Sequence, residues 1–287
     1  MDTIRYRAFL TAADSGSIRV AADILGYTPS GVSQLIQSLE KELNITLFRR
    51  GKKGVTLTSS GEMLLPVVRS IISQENNLLQ VAADLNGTVF GTINVASYHS
   101  LASAWMPQLV ARFQKDFPQV RINIFEGTQK DIVEHLISGK SDIAFFNNSM
   151  MTGRYDWIPI KSDPMMAVVP KGHKLAGLDK FPVEAFRGER FIMPENGFDY
   201  DVMEIFDEYG IVPDIYLSTF DSYILLKMVE NGLGVSLVNE ACLDERIDKG
   251  KVRAIPLDPP RCLEMGIAVL SLKDASPAVK KFIEYAS

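Results

Sequence analysis

Apolar residues near the start of the chain repeat with the period of a helix. Tyr6, Phe9, Leu10 and Ala13 stand at i, i+3, i+4 and i+7, the spacing of one buried helical face. Ser17 then offers an N-cap for a second helix, whose inward positions are Ile18, Ala21, Ala22 and Leu25, with Gly26 where a C-terminal cap belongs. Thr28 is a fresh N-cap, and Pro29 suits the first helical position because its missing N–H would be unpaired there anyway. Two helices joined by so short a link form a helix-turn-helix. On the third helix Val32, Leu35, Ile36, Leu39 and Leu43 share one arc, while Ser30, Ser33, Gln34, Gln37 and Lys41 share an opposite arc of about 100°.

The pattern then changes twice. The stretch "FRRGKKGVTLTSSG" holds Gly-flanked lysines and a β-prone run, which predicts a small basic wing. Ser59 and Glu62 have capping-box spacing, and Leu64, Val68, Ile71, Leu78, Ala82 and Leu85 form a seam broken at Glu75. That helix, running to about residue 86 with an expected kink at Pro66, spans on the order of 40 Å. A lone helix with an apolar seam needs a partner, and a second copy of itself is the simplest one.

Beyond "NGTVFG" strand-like runs (92–97, 120–127, 141–146, 164–169, 190–194, 214–218, 234–238 and 266–272) alternate with helical patterns at 101–117, 132–137, 202–209 and 224–229. This is α/β texture, read as largely parallel sheet. Breaks near 158–164 and 257–262 are where the chain is expected to cross between two subdomains.

Charge changes this picture more than composition does. The net charge of −5 divides unevenly: residues 1–60 hold eight Lys/Arg against five acids, a net +3, and the remainder carries −8. A basic segment on an acidic body points to a polyanion at one end. No apolar run approaches the roughly 20 residues of a membrane span, and the N-terminus lacks the features of a secretory signal. With Cys242 and Cys262 as the sole cysteines and no CxxC spacing, the expected setting is the cytoplasm.

The polar arc of the third helix meets the demands of a DNA major groove. Gln bonds adenine in two places, Ser bonds bases or phosphates, and a carboxylate there would repel phosphate. Thr28 and Pro29 open the helix beside the backbone, and Arg49, Arg50, Lys52 and Lys53 of the wing supply phosphate attraction independent of sequence. The alternative, a plain solvated face, is disfavoured by the preceding helix, the tight turn and the wing.

At this point the sequence resembles the LysR-type transcriptional regulators. The resemblance lies in "FLTAADSGSIRVAADILGYTPSGVSQLIQSLEKELNITLFRR" and "VTLTSSGE", with Ala21–Ala22, Ser30, Ser33–Gln34, Thr58 and Gly61, and continues more weakly through "MVENGLGVSLV". It implies a winged helix-turn-helix domain at 1–58, a linker and dimerisation helix at 59–88, and a two-lobed α/β effector domain, like a periplasmic binding protein, at 91–287. One lobe would be 91–160 with 262–287, the other 161–261. It also implies homodimers that pair into tetramers, binding to double-stranded DNA at an interrupted palindrome in a promoter, and RNA polymerase as a further candidate partner. No cofactor, metal or membrane is implied. Two positions depart from the family: Val238–Asn239 stand where a Pro is usual, and Asn44 replaces a Gly, which Asn tolerates at a helix end.

The resemblance places the effector between the lobes. The matching residues are Ser97, Tyr98, His99 and Ser100, with Thr128 and Asn147, facing Pro194, Phe198, Phe220, Asp221 and Ser222. A hydroxyl and free N–H groups at a helix start suit a carboxylate or other anion, although Ser100 is equally explained as a plain N-cap. For Thr128, Asn147, Pro194 and Phe220 a loop or packing role is the preferred reading. Glu195, Asp199 and Asp201 would favour an amine-bearing effector, but solvated surface is the preferred reading for them.

Other classes fit poorly. His99, His135 and His173 lack metal-ligand spacing, and no GxGxxG, GxSxG or Walker pattern occurs in its required context. An enzyme is therefore not expected. A solute-binding receptor without a DNA-reading role would need export. A thiol redox sensor through Cys242 and Cys262 would need a nearby basic cluster to lower a thiol pKa, which the sequence around either cysteine lacks.

Overall fold

The structure is a computed structural model that describes residues 3–51, 54–148, 154–195, 197–243 and 250–286. It opens with three helices, α1 (Ile4–Ser15), α2 (Ile18–Leu25) and α3 (Pro29–Leu43), and a two-stranded antiparallel ribbon of β1 (Phe48–Gly51) and β2 (Gly54–Leu57). The boundaries follow local chemistry. Ser17 Oγ accepts from Val20 N–H at 3.3 Å, Gly26 ends α2 at φ 71°, and Thr28 Oγ1 accepts from Gly31 N–H at 3.1 Å. Asn44 ends α3 in the left-handed region at φ 53°, the role the absent Gly would have had.

Ala8, Phe9, Ala12, Ala21, Ala22, Val32, Ile36 and Leu39 form the core of this head, and the Phe9 and Phe48 rings lie 5.4 Å apart. The buried face of α1 is thus centred on Ala8, Phe9 and Ala12 rather than on the wider set with Tyr6, Leu10 and Ala13, which are only partly covered. Ala8 and Ala12 let α1 approach its neighbours closely around the buried Phe9 ring, leaving Tyr6 and Leu10 at the margin. Leu43 at the last position of α3 is exposed, and Leu35 is partly so.

The long helix α4 (Ser59–Asp84) starts one residue earlier than the capping-box reading placed it. Thr58, not Ser59, is the N-cap, accepting from Gly61 N–H at 3.0 Å. The helix stays unbroken through Pro66. Its seam divides: Leu64 and Val68 pack on the head, whereas Ile71, Leu78 and Leu85, with Met63 and Val67, remain exposed. Glu75 breaks the seam because it is used elsewhere. Its carboxylate accepts from Thr3 Oγ1 and from Arg7, each at 2.7 Å, while Arg69 pairs with Asp14 at 2.6 Å, so two braces fix α1 to α4.

The remaining elements are β3 (Gly91–Ser97), α5 (His99–Ala104), α6 (Met106–Asp116), β4 (Val120–Glu126), α7 (Gln129–Ile137), β5 (Ile143–Asn147) and β6 (Asp156–Pro170). After them come β7 (Phe181–Pro182), β8 (Arg190–Pro194), α8 (Tyr200–Glu208), β9 (Asp214–Thr219), α9 (Ser222–Glu230), β10 (Ser236–Asn239), β11 (Val252–Asp258), β12 (Cys262–Val269) and α10 (Pro277–Ala286). The single helix expected at 101–117 is two, α5 and α6, meeting at Trp105. Pro107, second in α6, has no N–H to continue the α5 ladder.

Two cores flank a shared pair of strands. In the first lobe β4, β3 and β5 are parallel, and β12 runs antiparallel to β5 and to the first part of β6. In the second lobe the last part of β6 pairs antiparallel with both β10 and β11, and β8 pairs parallel with β9. The sheet is therefore mixed rather than largely parallel. The reason is connectivity: β6 carries the chain from first lobe to second and β12 leads it back, so the two run oppositely. No break occurs at 158–164, where β6 is continuous, and Pro159 falls at the irregular register beside Met265/Gly266, where a missing donor is tolerated. Leu263 packs against both cores. Among the described residues no helix is long and apolar enough to cross a membrane.

Candidate functional site

The polar arc of α3 faces outward. Thr28, Pro29, Ser30, Gln34, Gln37 and Lys41 are exposed and Ser33 is half-buried, so all are carried on one side by a helix whose other side is locked in the core. Thr28 Oγ1 lies 3.1 Å from Ser30 Oγ as well as capping Gly31, so one hydroxyl cluster marks the helix start. Glu40, the first acid on α3, is turned away from this face. Its Oε1 accepts from Leu47 N–H at 2.7 Å and Phe48 N–H at 3.3 Å, tying the ribbon to α3. Arg49 is exposed on β1, and Arg50 stands opposite Val55. Lys52 and Lys53 lie outside the described residues, as does the Arg50 side chain. Tyr27, next to Thr28 in the turn, is also exposed, as is Ile24 of α2, features that sequence spacing did not single out.

The second candidate is a cavity of about 390 Å³ between the lobes. Of the sequence-derived set, Tyr98, His99, Ser100, Thr128, Asn147, Pro194, Phe198, Phe220 and Ser222 line it. Ser97 and Asp221 do not. Ser97 is fully buried at the end of β3 with its hydroxyl donating to Tyr98 O, and Asp221 caps α9 by accepting from Ile224 N–H at 3.0 Å. Ser100 is not an N-cap: Tyr98 holds that position, and α5 is only six residues long, a weak source of helix-end N–H groups. Thr128 spends its hydroxyl in a capping box with Asp131 at the start of α7.

The lobes touch through this cavity. Asn147, buried at the end of β5, donates from Nδ2 to Asp201 Oδ2 on α8 at 2.7 Å. Tyr98 donates its hydroxyl to Gln129 Oε1 at 2.8 Å, and His99 Nδ1 pairs with Glu126 on the rim. Burial, followed by the carboxylates of Asp201, Asp199 and Glu195, pushes the Tyr98 phenol well above its usual range.

Gln129, Lys130, Glu195, Asp199, Tyr200, Asp201, Asn239, Cys242, Leu263 and Met265 complete the lining. The reading of Glu195, Asp199 and Asp201 as solvated surface is thus overturned. Glu195, Asp199 and Asp201 line the cavity instead, where burial and mutual repulsion raise Glu195 to about 7 and Asp199 to about 6. Asn239, the non-family residue after β10, donates to buried Asp163 on β6 at 2.5 Å and accepts from the Cys242 thiol at 2.9 Å. Cys242 rests against Ser222 and Ser100, and burial pushes its thiol up to about 11, opposite to what a reactive thiolate needs. Cys262 is exposed on β12. Among the described residues no group of three His, Cys, Asp or Glu could hold a metal ion.

Comparison with known proteins agrees over the whole chain. The family described as "LysR substrate binding domain" matches residues 86–287, and "Bacterial regulatory helix-turn-helix protein, lysR family" matches residues 5–62. The HTH-type transcriptional regulator cbl of Klebsiella aerogenes is 31% identical over 232 residues, covering 78% of this chain and 72% of that protein. The uncharacterized HTH-type transcriptional regulator YvbU of Bacillus subtilis (strain 168) is 27% identical over 287 residues, covering 100% of this chain and 98% of its own. Among solved structures, full-length OxyR C199D from Pseudomonas aeruginosa superposes with a TM-score of 0.80 at 18% identity, covering 100% of this chain and 97% of that one. CbnR complexed with its target DNA gives 0.66 at 18% identity, covering 100% and 99%. At such identities the structural likeness concerns the fold alone.

Proposed function

The chain belongs to the LysR family of DNA-binding transcriptional regulators with an effector-binding domain, and on that premise we propose how its residues divide the work. Thr28, Pro29, Ser30, Ser33, Gln34, Gln37 and Lys41 of α3 enter a major groove, and Arg49, Arg50, Lys52 and Lys53 hold the flanking phosphates. The observation that carries this reading is the acid-free, hydrogen-bonding outer face of α3, fixed by the burial of Val32, Ile36 and Leu39 opposite it and cleared of Glu40 by that residue's tether to Leu47. Residues 1–58 act as the reading head, 59–88 as the linker, and 91–287 as the sensor. The exposed apolar residues of α4 pair with a second copy, and two such heads read an interrupted palindrome; pairing of dimers into tetramers and contact with RNA polymerase extend the same scheme. The protein works where promoters are, in the cytoplasm, and binds rather than converts its small molecule.

The interlobe cavity is the effector site. A ligand there acts by favouring one lobe arrangement over another, since only a difference in affinity between two arrangements shifts their balance. The Asn147–Asp201 bond across the lobes is one contact such a ligand would replace or reinforce. Electrophoretic mobility measurements with the promoter flanking the protein's own gene, against random duplex, test the regulator reading. Preference for the promoter is expected, and Gln34→Ala should reduce it by about 1–3 kcal/mol while sparing non-specific affinity. Equal affinity of the intact protein for both duplexes at every salt concentration would exclude the role.

A further inference from the structure

The two walls of the interlobe cavity differ in charge. The second lobe presents Glu195, Asp199 and Asp201 from the end of β8 and the start of α8. Among the described lining residues the sole Lys or Arg is Lys130. Two of the acids have structural partners: Asp199 caps α8 through Val202 N–H at 3.0 Å, and Asp201 accepts from Asn147. Glu195 has no ion pair or hydrogen bond among the described residues. It projects from a left-handed backbone position, φ 56°, into a space already holding two other carboxylates. An added anion would meet repulsion at this wall, and a cation would relieve it.

An independent feature lies on the facing wall. Gln129 is nine-tenths buried at the start of α7 and lines the same cavity. Its Oε1 is used by Tyr98, yet its Nε2 finds no acceptor among the described residues. A buried amide donor left unpaired is costly, and an oxygen on a bound molecule would satisfy it. Tyr98, Phe198, Tyr200 and Phe220 line the same cavity, and aromatic rings of this kind cover apolar matter and attract cations.

We infer that the effector is a small molecule with a protonated amine or guanidine at one end and an oxygen acceptor at the other, as in a free amino acid, Glu195 and Asp199 facing the cation and Gln129 the acceptor. This rests on the reading of the cavity as the effector site and does not depend on how α3 reads DNA. It combines the acidic wall with the acceptor-seeking wall, which a simple carboxylate or a simple amine would each leave half used. It also fixes a pH dependence. Glu195 faces Asp199 and Asp201 of α8, Asp131 and Lys130 of α7, and Tyr98 and His99 of the first lobe, the last already engaged with Glu126. Because burial holds Glu195 protonated up to about 7 and Asp199 up to about 6, a cation whose own pKa is above about 9 binds more tightly as pH rises from 6 to 8.

The test uses the full chain in thermal-shift and calorimetric titrations with matched compounds. One set is lysine, arginine and phenylalanine; a second is cadaverine, agmatine and phenethylamine; a third is hexanoate and 3-phenylpropionate; magnesium and calcium chloride form a fourth. At least one amino acid should bind, with its deaminated counterpart at least tenfold weaker, a several-fold gain from pH 6 to pH 8, and at least a tenfold loss in Glu195→Gln. The inference is overturned if the deaminated acids bind as well, if no amine-bearing compound binds, if a metal ion alone gives the shift, or if Glu195→Gln leaves the best amine unaffected. Should the variant not fold, the matched series on the unaltered protein decides alone. Promoter preference measured on the same samples separates the two readings: its loss with amine selectivity intact removes only the regulator role, and the converse removes only this inference.

Discussion

At the scale of single residues, the informative positions are those whose surroundings reverse their expected character. Glu195 would be an ordinary surface acid by sequence, yet its carboxyl is raised to about 7, by burial first and by Asp199, Asp201 and Asp131 after it. The sign of the stability effect follows. The folded state keeps this proton up to about pH 7, whereas the unfolded chain releases it near 4.5, so the stabilisation is present below the lower value and is lost as pH rises through the higher one. With solvent screening of this half-buried group allowed for, the effect is about 1 kcal/mol. Glu195→Gln should therefore raise Tm by about 2–4 °C at pH 8 and lose that advantage at pH 5, as measured by differential scanning calorimetry without ligand. An identical Tm difference at both pH values would show that Glu195 is solvated.

At the scale of elements, fit between backbones matters more than propensity. Gly61 sits in the first turn of α4, where a Cβ would come within 2.3 Å of Leu47 O and 3.0 Å of the Leu57 side chain. A helical glycine normally gains from replacement by alanine. Here the gain is reversed, because α4 could keep the new methyl only by moving off the ribbon. Gly61→Ala should destabilise the head by about 1–3 kcal/mol, the usual cost of overpacking, and lower promoter affinity by tilting the wing. Chemical denaturation of the protein checks this, and an unchanged midpoint would mean that α4 is not seated against Leu47. The same reasoning explains how Ala8, Ala12, Ala21 and Ala22, weak hydrophobes in a sequence scan, make up so much of the head core. Their value is in letting helices close up.

At the scale of the whole molecule, α4 connects a reading head to a two-lobed sensor, and its outward side carries Met63, Val67, Ile71, Leu78 and Leu85 exposed. So regular an apolar row supports the proposed pairing of α4 with a second copy. Replacing Leu78 and Ile71 together by Glu should convert the assembly to monomers in analytical ultracentrifugation and weaken binding to a two-part operator, while a single half-site is affected far less. If the sedimentation coefficient does not change, self-association runs through other surfaces. The braces from Thr3, Arg7 and Asp14 to Glu75 and Arg69 tie the head to α4, so on the proposed pairing a change in how two such helices meet moves the heads with them.

The sequence by itself determined what local chemistry can decide. Ser17, Gly26, Thr28, Pro29 and Asn44 set where the first helices begin and end, and the period of apolar residues sorted α3 into two faces. Each of these outcomes depends on neighbours a few positions away. The continuity of β6 and the antiparallel run of β12 depend instead on partners far along the chain. So does the character of the interlobe cavity: Glu195, Asp199 and Asp201 face Tyr98 and Gln129 only because two lobes, each with its own core, close on one another. Charge repulsion, burial and an unpaired amide arise from that closure, and no window of sequence contains both walls.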